Sequence, residues 1–98
     1  MRRVAITGIG IVSAIGNTAD EVAASLKSAR SGISFAPEYA QLGFRCQVHA
    51  KPDIDWESMV DRRAARCLAP GTAYAHIAME QAIADSGLTP EEVSHERT

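Results

Sequence analysis

Four groups of residues have types and spacings that chemistry uses. The first is Gly8-x-Gly10, directly after a β-rich stretch. A dinucleotide-binding loop sets such glycines between a strand and a helix, with the pyrophosphate on the helix N-terminus. Here Ser13 stands where that fingerprint needs glycine or alanine, and the helix start signalled by Thr18 comes after the motif instead of inside it. A structural turn is the better reading. The second group, Cys46-x-x-His49 with Cys67 and His76, is an inventory of metal ligands. On a strand, Cys46 and His49 project to opposite faces and cannot share one ion. His76 and Glu80 lie four apart on a helix, which makes a polar stripe as readily as a ligand pair. The third is Cys67, beside cations that favour a thiolate. It has no base or oxyanion hole visible in sequence, so a buried structural thiol is expected. No catalytic, cofactor-binding or metal-ligating residue is assigned.

The fourth group is Arg62, Arg63 and Arg66. On a helix, Arg62 and Arg66 share a face at i, i+4, and Arg63 and Arg66 at i, i+3. Such a patch suits a phosphate or an acidic partner. The alternative is a solvated face paired with Asp61 and neighbouring acids, and physics alone leaves the two level. Without interleaved aromatics, single-stranded nucleic acid is a poor match.

The elements that must position these residues read as one αβ segment. Residues 3–7 form a β-rich strand with small or apolar residues on both faces, which suits a covered, parallel-type sheet. The apolar loop 8–16 must pack against something, its glycines permitting positive φ or close backbone approach. Thr18 and Glu21 have capping-box spacing, opening a helix with Val22, Leu26 and Ala29 on one stripe and Gly32 placed to end it. A helical turn after Pro37, a short strand over 44–49, and short helices over 56–60 and 62–68 capped by Asp55 or Asp61 follow. Pro70 opens a helix that Gly87 stops, and Thr89-Pro90-Glu91-Glu92 is a second capping box. The helix over 70–86 is apolar round most of its circumference, which belongs inside a larger protein. The chain therefore reads as incomplete on its own.

Composition narrows the class. With 98 residues, 46% hydrophobic and 22% charged, the chain is an ordinary globular segment, not a disordered one. A net charge of -2 gives no global pull towards nucleic acid or anionic lipid. No apolar run is long enough for a membrane span. Met1-Arg2-Arg3 has the charge of a signal-peptide start, but the glycines and polar residues that follow interrupt the apolar run. Two cysteines are too few for a disulfide framework, which favours a reduced, cytoplasmic setting.

Val4-Ala5-Ile6-Thr7-Gly8-Ile9-Gly10-Ile11-Val12-Ser13-Ala14-Ile15-Gly16-Asn17 closely resembles the opening of β-ketoacyl-acyl-carrier-protein synthases. Arg30-Ser31-Gly32-Ile33, Asp61-Arg62-Arg63 and Met79-Glu80-Gln81-Ala82-Ile83-Ala84-Asp85-Ser86-Gly87-Leu88 match the same family in order and spacing. The Gly43-Phe44-Arg45-Cys46-Gln47-Val48-His49 stretch and the Asp-Arg-Arg segment resemble the type I synthase more than type II. The resemblance implies an α/β, thiolase-like fold, layered α-β-α-β-α, of which residues 1–98 are an N-terminal fragment truncated before the catalytic residues. It also implies a cytoplasmic homodimer that elongates fatty acyl chains by decarboxylating Claisen condensation. The working cysteine and two histidines of the family lie downstream, and Cys46, Cys67, His49, His76 and His95 match none of them. By position, Arg62, Arg63 and Arg66 resemble residues that meet the acidic acyl carrier protein. Two departures stand out: Cys67 replaces a bulkier apolar residue, and Ala69-Pro70-Gly71 replaces a more polar helix start. The alternatives are a polyketide-type synthase or chain-length factor with the same start, and a stand-alone binding module for an acidic partner.

Overall fold

The computed structural model describes residues 3–98, so Met1 and Arg2 of the signal-peptide comparison lie outside the described residues. The chain is mixed α/β and dominated by helix. In order it runs α1 (Ala19–Lys27), β1 (Ser34–Phe35), α2 (Pro37–Gln41), β2 (Val48–His49), α3 (Trp56–Met59), α4 (Arg62–Ala65), α5 (Pro70–Ser86) and α6 (Pro90–Val93). These elements form two compact units, Ser13–Ile54 and a second made of residues 3–12 with Asp55–Thr98.

In the unit Ser13–Ile54, a tight turn precedes α1. The Ser13 N–H donates to the Gly16 carbonyl at 2.9 Å, and the Gly16 N–H returns a bond to Ser13 at 3.3 Å. The Thr18 hydroxyl then accepts the Glu21 N–H at 3.3 Å. The Glu21 carboxylate accepts from Asn17 N–H at 2.7 Å, one residue earlier than a strict capping box would have it. The buried residue of α1 is Ser25, whose hydroxyl donates to the Ile15 carbonyl at 2.5 Å. The same carbonyl accepts from Arg30 Nη2 at 3.2 Å. This polar anchor, and not the expected stripe, sets which side of α1 faces in: Leu26 is exposed. Gly32 does not end the helix. The helix stops at Lys27, and Ala29 takes the left-handed turn with φ 52°.

β1 and β2 pair antiparallel with Ser34 opposite His49 and Phe35 opposite Val48. The expected strand over 44–49 shrinks to two residues because its first half is spent on a bend. There the Phe44 N–H donates to Tyr39 O at 2.9 Å, and Gln47 Nε2 donates to Phe44 O at 3.3 Å. Ala36, fully buried, is the centre of this small hairpin.

In the other unit, residues 3–7 form no strand. A strand needs a ladder partner, and none pairs with them among the described residues, so Val4 and Ile6 stand 93% and 88% exposed. The chain then lies along α5. A Cβ at Gly8 would sit 2.2 Å from the Ala82 carbonyl oxygen, and one at Gly10 only 1.8 Å from that of Ala78. Neither glycine has positive φ. Their role is therefore close backbone approach, one of the two uses expected of them, and the turn falls later at Ser13–Gly16. Alternating with them, the N–H groups of Ile9 and Ile11 donate to Asp85 Oδ2 at 2.9 Å and Gln81 Oε1 at 3.0 Å. Asp85 and Gln81 are four apart, one above the other on the helix face.

α5 has the predicted limits, opening on Pro70 and ending at Gly87 in the left-handed region, φ 67°. Ala73 and Ile77 are buried, and Val60 at the end of α3 is buried too. α3 packs on α5. Met79, by contrast, is 61% exposed, so the helix is covered on one side only. α6 carries the full capping box: Thr89 Oγ1 accepts Glu92 N–H at 3.3 Å, and the Glu92 carboxylate accepts Thr89 N–H at 2.8 Å. The Thr89 backbone bond, helped by its hydroxyl, holds the Glu92 carboxyl below the usual glutamate value.

Candidate functional site

The arginine group sits where two short helices meet. Val60 closes α3 in an extended conformation, and Asp61 opens α4, its Oδ2 accepting from Arg63 N–H at 3.0 Å and Ala64 N–H at 3.3 Å. The predicted run to Leu68 is shorter in fact. α4 ends at Ala65, Arg66 is its C-cap, and the Cys67 N–H bonds back to Ala64 O at 2.9 Å. Ala69 is extended ahead of Pro70, as the residue before a proline prefers.

Arg62 and Arg66 line one open groove of about 810 Å³, together with Ala65, Ser58, Asp55 and Glu57. Arg63 does not line it, so the i, i+4 pair converges and the i, i+3 pair does not. All three arginines are exposed. Among the described residues, no carboxylate lies within ion-pair distance of their guanidinium groups. The Asp61 carboxylate, the nearest counter-charge in sequence, instead serves as the α4 cap. Sequence reasoning missed Asp55, Glu57 and Ser58 as groove residues. The signal was there in the acids just upstream of the arginines, but their placement depends on how α3 meets α4.

The other candidates come apart. The edge of Gly8-x-Gly10 that a pyrophosphate would need is filled by the backbone of α5. Cys46 is not on a strand. It lies in the bend before β2, its Sγ 3.7 Å from Val48 O, while His49 Nδ1 faces Glu38 Oε1 at 3.5 Å and its ring meets Tyr39 edge-on. Among the described residues, no three His, Cys, Asp or Glu side chains are grouped to hold a metal ion. His76 and Glu80 pair at 3.4 Å on an exposed side of α5. Cys67, expected buried, is exposed in the turn that follows α4, while its neighbour Leu68 is half-buried. Among the described residues, no helix is long and apolar enough to cross a membrane.

Comparison with known proteins agrees with the motif reading over the whole chain. Residues 1–98 match the family model described as the beta-ketoacyl synthase N-terminal domain. The 3-oxoacyl-[acyl-carrier-protein] synthase 1 of Escherichia coli K12 is 47% identical over 91 residues, which is 93% of this chain and 22% of that protein. The Haemophilus influenzae synthase 1 is 43% identical over 98 residues, covering 100% of this chain and 24% of the relative. A Coxiella burnetii synthase 2 is 31% identical over 97 residues, 98% of this chain and 23% of its own length. The chain thus spans about a quarter of the length of the curated relatives it matches. With the glycine-on-helix packing, the capped α4 and the α5 sequence all falling within that match, the chain belongs to the β-ketoacyl synthase family, over its N-terminal domain.

Proposed function

We propose that this chain is the N-terminal portion of a 3-oxoacyl-acyl-carrier-protein synthase acting in fatty acid synthesis. Residues 1–98 supply scaffold and a docking surface, and the reacting groups come from polypeptide beyond them. In the complete enzyme an acyl group passes from carrier protein to a cysteine thiolate, forming a thioester. Malonyl-carrier protein loses CO₂, its carbanion attacks the thioester carbonyl, and the cysteine thiolate leaves. The complete protein has the thiolase-like α-β-α-β-α layering and works as a cytoplasmic homodimer. The exposed apolar face of α5 and the unpaired residues 3–7 support that reading, since both need cover that a layered sheet and its helices would provide.

Within this portion, Arg62, Arg63 and Arg66 meet the acidic carrier protein. The observation that carries the assignment is the groove: two exposed guanidinium groups, one helical turn apart, with no carboxylate of the described residues paired to them. Long-range attraction of this kind speeds encounter, and bidentate arginine suits carboxylate and phosphate oxygens. Titrating labelled acyl carrier protein into the chain tests it. Arg62→Glu with Arg66→Glu should weaken binding at least about tenfold at low salt, and the difference should fade as salt rises. Unchanged binding in the double variant refutes the docking role.

A further inference from the structure

The guanidinium pair does not have its groove to itself. The side formed by α3 carries the exposed carboxylates of Asp55 and Glu57. Among the described residues neither forms an ion pair with Arg62 or Arg66, although all four line one space. The groove is therefore bipolar, cationic along α4 and anionic along α3.

We infer that Asp55 and Glu57 orient an acidic partner in this groove and limit how tightly it is held. The inference rests on the docking reading above and adds to it the part played by α3. A partner carboxylate laid against α4 meets two positive groups; the same carboxylate laid against α3 meets two negative ones. At ordinary ionic strength the screening length is about 8–10 Å, so charges sharing one groove still sense each other. The partner's acidic stripe settles on the α4 side, and an approach with that stripe turned to α3 is disfavoured. The α3 carboxylates thus set register, and by opposing the partner's overall charge they slow its encounter and weaken its hold.

The test uses the whole 98-residue chain and a fluorescein-labelled helical peptide rich in Asp and Glu, read by anisotropy at low salt. Asp55→Asn with Glu57→Gln should tighten binding by about threefold to tenfold, the range for two exposed charge contacts. Glu91→Gln with Glu96→Gln removes the same net charge away from the groove and should change binding by less than about twofold. A spin label on one end of the peptide should broaden amide signals along one rim of the groove in the unaltered chain and along both in Asp55→Asn/Glu57→Gln. Equal gains in the two double variants, or a spin-label pattern that does not change, would overturn the inference. Arg62→Gln with Arg66→Gln reports separately on the underlying docking. If the peptide binds that variant as well as the parent, the docking reading fails whatever the carboxylates do. If it does not bind the parent at all, both fail.

Discussion

Gly10→Ala puts the packing of the N-terminal segment on α5 to a quantitative test. The new Cβ would lie 1.8 Å from the Ala78 carbonyl oxygen and 2.7 Å from Ala82 N, both backbone atoms of a continuous helix that cannot rotate aside. Reaching ordinary contact demands a retreat of roughly 1.5 Å. That retreat stretches the Ile9–Asp85 and Ile11–Gln81 bonds, now 2.9 and 3.0 Å, past hydrogen-bonding range. Two lost bonds at about 1 kcal/mol each and overpacking of about 1–3 kcal/mol give roughly 3–5 kcal/mol. Local opening constants should therefore rise by at least about a hundredfold. Amide hydrogen exchange by NMR reads this directly, without requiring the chain to melt as one unit. In Gly10→Ala the Ile9 and Ile11 amides should exchange at the rate of an unprotected peptide. Gly71→Ala is the control: its Cβ meets nothing within 4 Å in the first turn of α5, so protection there should hold or improve. Equal protection of Ile9 and Ile11 in the parent and Gly10→Ala, or none in the parent, would refute the reasoning.

Three further outcomes follow from other parts of the chain. Ser25→Ala removes the buried hydroxyl that donates to the Ile15 carbonyl, and should destabilise the Ser13–Gly16 turn by about 1–2 kcal/mol, seen as faster exchange of the Ser13 and Gly16 amides. Because Glu92 has its folded value lowered, its cap stabilises α6 at neutral pH and is lost as pH falls through that lowered value. The Glu92 carboxyl carbon, followed by NMR, should titrate below the ordinary glutamate range, and Thr89→Ala, which removes the hydroxyl but keeps the backbone N–H, should move it only part of the way back. Gly87→Ala forces a Cβ into the left-handed region at φ 67° and should fray the end of α5 by about 1 kcal/mol, measured as lost helical ellipticity at 222 nm.

What the sequence made legible was what local chemistry decides. Pro70 and Gly87 bound α5 to the residue, Thr89 and Glu92 close a reciprocal capping box, and Asp61 caps α4. These signals act over three or four residues and need no tertiary partner. The largest misreadings lie where distant atoms decide. Residues 3–7 have strand-like sequence but no ladder partner among the described residues. For Gly8 and Gly10 the sequence left a turn and a close approach both open, because the demand for space comes from α5, far along the chain. Leu26 turned outward because a Ser25 hydroxyl found the Ile15 carbonyl, a contact that hydrophobic patterning does not weigh. The arginine patch was visible by spacing, but its acidic wall was not. Asp55 and Glu57 join the groove only through the junction between α3 and α4.

Thermal unfolding of the purified 98-residue chain, followed at 222 nm, tests most directly whether this is one portion of a larger layered enzyme. With Met79 and Val4 in solvent and α5 covered on one side, ellipticity should fall gradually over a broad span of temperature, without a single sharp midpoint. A monomer that melts in one steep step, with calorimetric and van't Hoff enthalpies equal, would contradict it.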